Sequence, residues 1–160
     1  MLTRLLSPLV ILSLFAAAPA SARASPLDGT WKIVFPCKSV GEGEYPKRCA
    51  AGDRDHFILD LWSQGDLLCG THELALNLGD QLDESVPADK AIAGRITGRS
   101  ATVTFHIWSA SGHATLRVRG GKLHWDVVDQ DKGFSQGIPT HVVLLRQRVS
   151  GADGARACGS

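Results

Sequence analysis

Four cysteines, six histidines, four tryptophans and a single tyrosine are the side chains here with the chemistry to bind metal, move protons or anchor a partner. Their spacing argues against catalysis. His72-Glu73-Leu74-Ala75-Leu76 opens like a zinc-protease motif, but leucine stands where a second histidine is needed, and the surrounding alternation is that of a strand. No Gly-x-Ser-x-Gly nucleophile elbow is present, and Ser109, Ser111 and His113 fall in a turn whose composition the turn itself explains. Asp129-Gln130-Asp131-Lys132-Gly133 starts as a calcium loop does, yet lacks the third oxygen ligand and the closing glutamate. The histidines (His56, His72, His106, His113, His124 and His141) read as exposed or rim residues. His106 and His124 have the parity opposite to that of Phe105, Ile107, Leu123 and Trp125. No catalytic residue, metal or cofactor is expected.

The cysteines take their meaning from the compartment. Residues 1–24 have the form of a signal peptide: Arg4 in front, an apolar run from Leu5 to Ala18, and a small-x-small cleavage site at Ala20-Ser21-Ala22 or Ala22-Arg23-Ala24. Ser7, Pro8 and Ser13 interrupt the run, which falls short of the ~20 apolar residues that span a bilayer. No cysteine lies beside the cleavage site for lipid attachment. A periplasmic or secreted protein with no membrane anchoring after cleavage is the expectation. There Cys37, Cys49, Cys69 and Cys158 are expected in disulfides rather than as reactive thiols. Four cysteines allow three pairings; the preferred one joins Cys37 to Cys49, closing a loop, and Cys69 to Cys158, tying the tail to the body. No two of them have the spacing of a zinc-ligand pair. Loss of Arg4 and Arg23 with the leader changes 17 basic against 16 acidic residues to 15 against 16. Scattered, nearly balanced charge lacks the footprint of a nucleic-acid binder.

The candidate binding residues are Glu42, Glu44, Tyr45, Lys47, Trp62 and Trp108. The first four sit in the segment from Cys37 to Asp55, the longest unpatterned stretch before residue 91, rich in glycine and charge. A loop of that length in a compact domain is uncommon unless it is tied down or has a function. Tyr45 is the expected anchor, because interface tyrosines bury a ring while the hydroxyl keeps a polar contact. Trp62 and Trp108 share a face with Asp60, Thr104 and His106, which puts them on an outer wall or else means that inside and outside are reversed. Trp31 and Trp125 carry the apolar parity and read as core.

The elements that must position these residues are strands. From Ala91 to Val128 the chain reads as a four-strand meander: Ile92, Gly94 and Ile96; Ala101, Val103, Phe105 and Ile107; Ala114, Leu116 and Val118; Leu123, Trp125 and Val127. Gly98-Arg99-Ser100, Ser109 to Gly112 and Gly120-Gly121 supply its turns. Before it lie strands through Trp31 to Phe35, His56 to Trp62 and Leu67 to Leu76, then a polar connection from Asn77 to Lys90; after it comes Ile138 to Arg146. Eight strands with short turns and no helix predict an all-β, eight-stranded antiparallel up-and-down β-barrel, with a two-sheet β-sandwich as the alternative. The domain division is 1–24 leader, 25–149 barrel and 150–160 tail, anchored at Cys158.

Gly29-Thr30-Trp31 on a first strand resembles the Gly-x-Trp signature of lipocalins. That resemblance implies a tryptophan plugging the barrel base, a long first loop over the mouth and a late cysteine stapled to the body. The chain departs from the family in lacking a helix after its last strand. Together with Gly65-Asp66-Leu67-Leu68-Cys69-Gly70 the same start is similar to avidin-type barrels. It also resembles the small periplasmic barrel inhibitors of metalloproteases, through Gly-x-Trp and a Gly-Asp-x-x-Cys turn, although their later tryptophan motif is absent. All three imply binding rather than catalysis. Two expectations follow: a non-enzymatic partner of an exported protein, such as an inhibitor or protector of an exported hydrolase, or a carrier of a small hydrophobic ligand. Interior volume separates them, since a lumen filled by Phe105, Leu116 and Trp125 leaves no room for a ligand.

Overall fold

Strand alternation organises most of what the computed structural model describes, residues 24–37, 44–86, 89, 91–108, 110–131, 138–148 and 158. The leader reading, Glu42 and most of the tail lie outside the described residues. Among the described residues nine strands form: β1 Gly29–Val34, β2 His56–Gln64, β3 Leu67–Leu76, β4 Gln81–Glu84, β5 Ile92–Thr97, β6 Ser100–Ile107, β7 Ala110–Arg119, β8 Lys122–Gln130 and β9 His141–Arg146. All pairings are antiparallel, in the order β1-β9-β8-β7-β6-β5-β3-β2, and β2 pairs with β1 again, so eight strands close into a barrel. The sandwich alternative is excluded by that closure. Gly120 and Gly121, at φ +55 and +74, make the tight β7–β8 turn, in a region that costs glycine little.

Parity sorts inside from outside as the sequence pattern implies. Ala101, Val103, Phe105 and Ile107 are buried, while Thr102, Thr104 and His106 are exposed. The lumen is a packed core. Trp125 meets Phe57 edge-on at 5.6 Å between ring centroids and Phe105 at 5.4 Å, and its Nε1 donates to the Pro139 carbonyl at 2.8 Å. Leu116 is fully buried among the same cluster. At one barrel end Trp31 is 0 % exposed and donates from Nε1 to the Leu27 carbonyl at 2.8 Å. The Arg146 guanidinium lies 4.3 Å above its ring and donates to the carbonyls of Asp28 and Pro26, at 2.5 and 2.7 Å. Thus the cation closes that end from outside while holding down the strand lead-in.

Two stretches expected to lack regular structure have it. Within the first loop a helix, α1, runs over Glu44–Ala51. Pro46 falls in its first turn, where a missing N–H costs nothing, and Glu44 and Arg48 have the signs that suit the two helix ends. In the polar connection, a 3-10 turn at Asn77–Gly79 leads into β4. That strand shares an edge of β3 with β5: β5 pairs with Leu67 to Gly70 and β4 with Glu73 to Leu76. The last strand also starts later than expected, at His141.

The bridges join Cys37 to Cys49 and Cys69 to Cys158, and the described residues contain no free cysteine. Two disulfides suit an extracellular or otherwise oxidising environment. Among the described residues no helix is long and apolar enough to cross a membrane.

Candidate functional site

The barrel end opposite Trp31 carries α1. Cys49 is buried beneath the helix and bridged to Cys37, three residues beyond β1. Arg48 fixes the helix to the rim: Nε donates to Asp53 at 3.0 Å, Nη1 to Asp80 at 2.7 Å and Nη2 to the Leu78 carbonyl at 2.5 Å. Those carboxylates, Asp80 first and Asp53 second, hold the guanidinium above even its usual range. Below it Asp55, 4 % exposed, accepts the Leu78 N–H at 2.7 Å on its side chain and the Phe35 N–H at 2.9 Å on its carbonyl. Asn77 and Leu78 stand at φ +50 and +61, a left-handed pair that is unfavourable without such partners. The helix is therefore clasped at its Cys49 end by a covalent bond and an ionic one.

What the clasp presents outward is small and polar. Glu44 and Lys47 pair at 3.1 Å with side chains 78 % and 75 % exposed, a contact worth little to the fold and readily exchanged for a partner's charge. Tyr45 is half-buried beside them. These three sequence candidates share one short helix. Trp108 lies half-buried at the same barrel end, just after β6, packed against the core, with φ +53. Trp62 is on the outer parity of β2, in register with Cys69 and so toward the opposite end. Trp108, beyond the end of β6 and packed against the core, does not share that outer parity, and the topology does not bring the two together.

One constellation escaped the sequence reading. His72 is not a rim histidine: it is 5 % exposed, its Nε2 lies 2.7 Å from Asp83 Oδ2 and its Nδ1 lies 3.1 Å from Ser85 Oγ. With Nε2 protonated toward Asp83, Nδ1 accepts from the serine hydroxyl, which is the connectivity of a Ser-His-Asp relay. Acyl transfer also needs N–H donors for an oxyanion. Here the Ser85 N–H is spent on the His72 carbonyl at 3.0 Å and the Val86 N–H on Asp89 at 2.9 Å. Asp83 Oδ2 also accepts the Trp108 N–H at 2.5 Å. The network is a lock at the fork where β4 and β5 diverge from β3, tying the end of β6 to the same point. Its inward parity with Leu68 and Leu74 was the available signal, because a histidine on a core face requires a buried partner.

Four of the other five histidines pair on the outer wall: His56 with Glu73 at 2.6 Å, His113 with Asp129 at 2.7 Å, His141 with Asp126 at 3.1 Å and His106 with Ser111 at 2.7 Å. Among the described residues no three His, Cys, Asp or Glu side chains converge to hold a metal ion. No family model, curated protein or solved structure matches the chain.

Proposed function

We propose that this protein is a non-enzymatic binding barrel of an oxidising compartment, engaging another protein through the clasped helix at its mouth, as an inhibitor or protective partner of an exported hydrolase would. The observation that carries this reading is the contrast between lumen and rim. Phe57, Phe105, Leu116 and Trp125 occupy the interior with 0–2 % exposure, whereas Glu44 and Lys47 are exposed and Tyr45 half-exposed on a helix fixed by Cys37, Cys49 and Arg48. Fixing a recognition element beforehand lowers the ordering cost of association. The resemblance to periplasmic protease inhibitors agrees with it in kind. A carrier of a small hydrophobic molecule needs an enclosed apolar cavity, and the burial of Phe57, Phe105, Leu116 and Trp125 in one cluster weighs against it.

Native mass spectrometry of the protein isolated from its own host, before and after crosslinking, tests the choice. The proposal expects a protein-sized adduct crosslinked through α1. A retained small molecule of a few hundred daltons, with no protein adduct, supports the carrier instead.

A further inference from the structure

Of the eight seams around the barrel, the one between β1 and β9 has the shortest ladder, with only Trp31 opposite Arg146 and Lys32 opposite Leu145. The Gln147 N–H extends it at one end by donating to the Thr30 carbonyl at 2.8 Å. Main-chain groups alternate sides along a strand. Since Thr30 faces β9, and Phe35 donates the other way to the Asp55 carbonyl, Val34 directs its N–H and C=O toward β9. By the same alternation Val143 directs its own toward β1. Continuing the register would make Val34 and Val143 the next bonded pair, and among the described residues that pair is not formed. The ladder opens there into a groove of about 460 Å³ lined by Lys32, Ile33, Val34, Val143, Leu145 and Gln147.

Three of those side chains are large, apolar and open to solvent: Val34 at 48 %, Val143 at 40 % and Leu145 at 53 %. Two lysines stand near them. Lys32 lies on the groove and Lys122 stands opposite Leu145 on β8, and among the described residues neither is in an ion pair. Acidic side chains stand near as well, Asp126 beside His141 and Asp60 accepting the Thr30 hydroxyl.

We propose that this seam docks an extended segment of a partner protein in which apolar and acidic residues alternate, by strand addition between β1 and β9. Its main chain takes up the bonds that Val34 and Val143 leave open. Its inward parity covers Ile33 and Val142, which are only partly buried, and its outward acidic parity lies beside Lys32. The inference is independent of the clasped helix and holds whether or not α1 carries a partner.

The test is a titration of the full chain, disulfides intact, with an acetylated and amidated Val-Glu-Val-Glu-Val-Glu peptide, followed by amide hydrogen exchange. Saturable binding is expected, with exchange at Val34 and Val143 slowed by about tenfold or more. The Val-Lys counterpart should bind at least about tenfold more weakly, and Lys32→Glu should erase that preference. A Val-Glu peptide N-methylated at alternate positions, which cannot complete the ladder, should give no protection. The proposal is overturned by any of three results: Val34 and Val143 already protected in dilute free protein, equal binding of the N-methylated peptide, or no binding of the acidic peptide. Protection that grows with protein concentration alone would assign the seam to a second copy, and laurate binding there without amide protection would assign it to an anionic amphiphile. Either outcome also overturns the strand-addition proposal.

Discussion

Trp31→Ala should be among the most damaging single substitutions in this protein. The indole is 0 % exposed, donates to the Leu27 carbonyl and lies under Arg146, so truncation removes three contributions. Loss of a buried aromatic leaves a cavity costing about 3–5 kcal/mol. The Leu27 carbonyl, itself buried, loses its donor at a further cost of about 1 kcal/mol. The cation over the ring contributes about 0.5–1 kcal/mol at so exposed a position. A total of about 5 kcal/mol approaches the whole stability of a domain this size, so Trp31→Ala alone could merely fail to fold. Trp31→Phe keeps most of the volume and loses the indole N–H, for an expected loss of about 1–2 kcal/mol. Chemical denaturation followed by far-ultraviolet circular dichroism measures both, because four tryptophans make fluorescence ambiguous. A double-mutant cycle with Arg146→Ala should return a coupling of about 0.5–1 kcal/mol. A loss below about 1 kcal/mol for Trp31→Ala, ordinary for a surface site, would refute the plug.

Three further outcomes are expected. Removing the Cys69 to Cys158 bridge, which closes a separation of 89 residues, should cost about 4–5 kcal/mol, against about 3 kcal/mol for Cys37 to Cys49 with a separation of 12; the reverse order on denaturation of serine variants would contradict the unfolded-chain account. His72→Ala should cost about 2–4 kcal/mol by leaving Asp83 and Ser85 short of partners, and hydrogen exchange should show β4 loosened first; uniform loosening of the barrel would mean that the network is no local lock. Gly94→Ala should cost about 1–3 kcal/mol, because an added Cβ would run into the Thr102 carbonyl oxygen and lie 2.7 Å from the Val103 Cα. An unchanged melting temperature there would show that β5 and β6 can separate freely.

How much of this could be read in the sequence depends on how local the determinants are. The meander was legible because parity and glycine turns lie within a few residues of each other, and Ile92 to Val127 needed no distant information. The tryptophan plug was legible from Gly29-Thr30-Trp31, but its cover was not: Arg146 reaches Trp31 only through barrel closure. Helix α1 was hidden because eight residues holding Pro46 and Cys49 show no usable apolar period. Strand β4 was hidden because Gln81 to Glu84 is short and mostly polar, and its place comes from pairing with Glu73 to Leu76 rather than from its own side chains. The Tyr45 candidate came from the loop's length and cysteines, and the structure supplies what the sequence could not, the anchoring of that loop by Arg48 and Asp55 at the barrel mouth.

The central claim is that the clasped helix at the mouth, and not the lumen, is the recognition element. Isothermal titration of the crosslinked partner, once purified, against wild type and Tyr45→Ala tests it most directly, with denaturation of both proteins run alongside. The account predicts an affinity loss of about 2 kcal/mol or more for Tyr45→Ala, with folding stability changed by less than about 0.5 kcal/mol. Full affinity in the variant would contradict it.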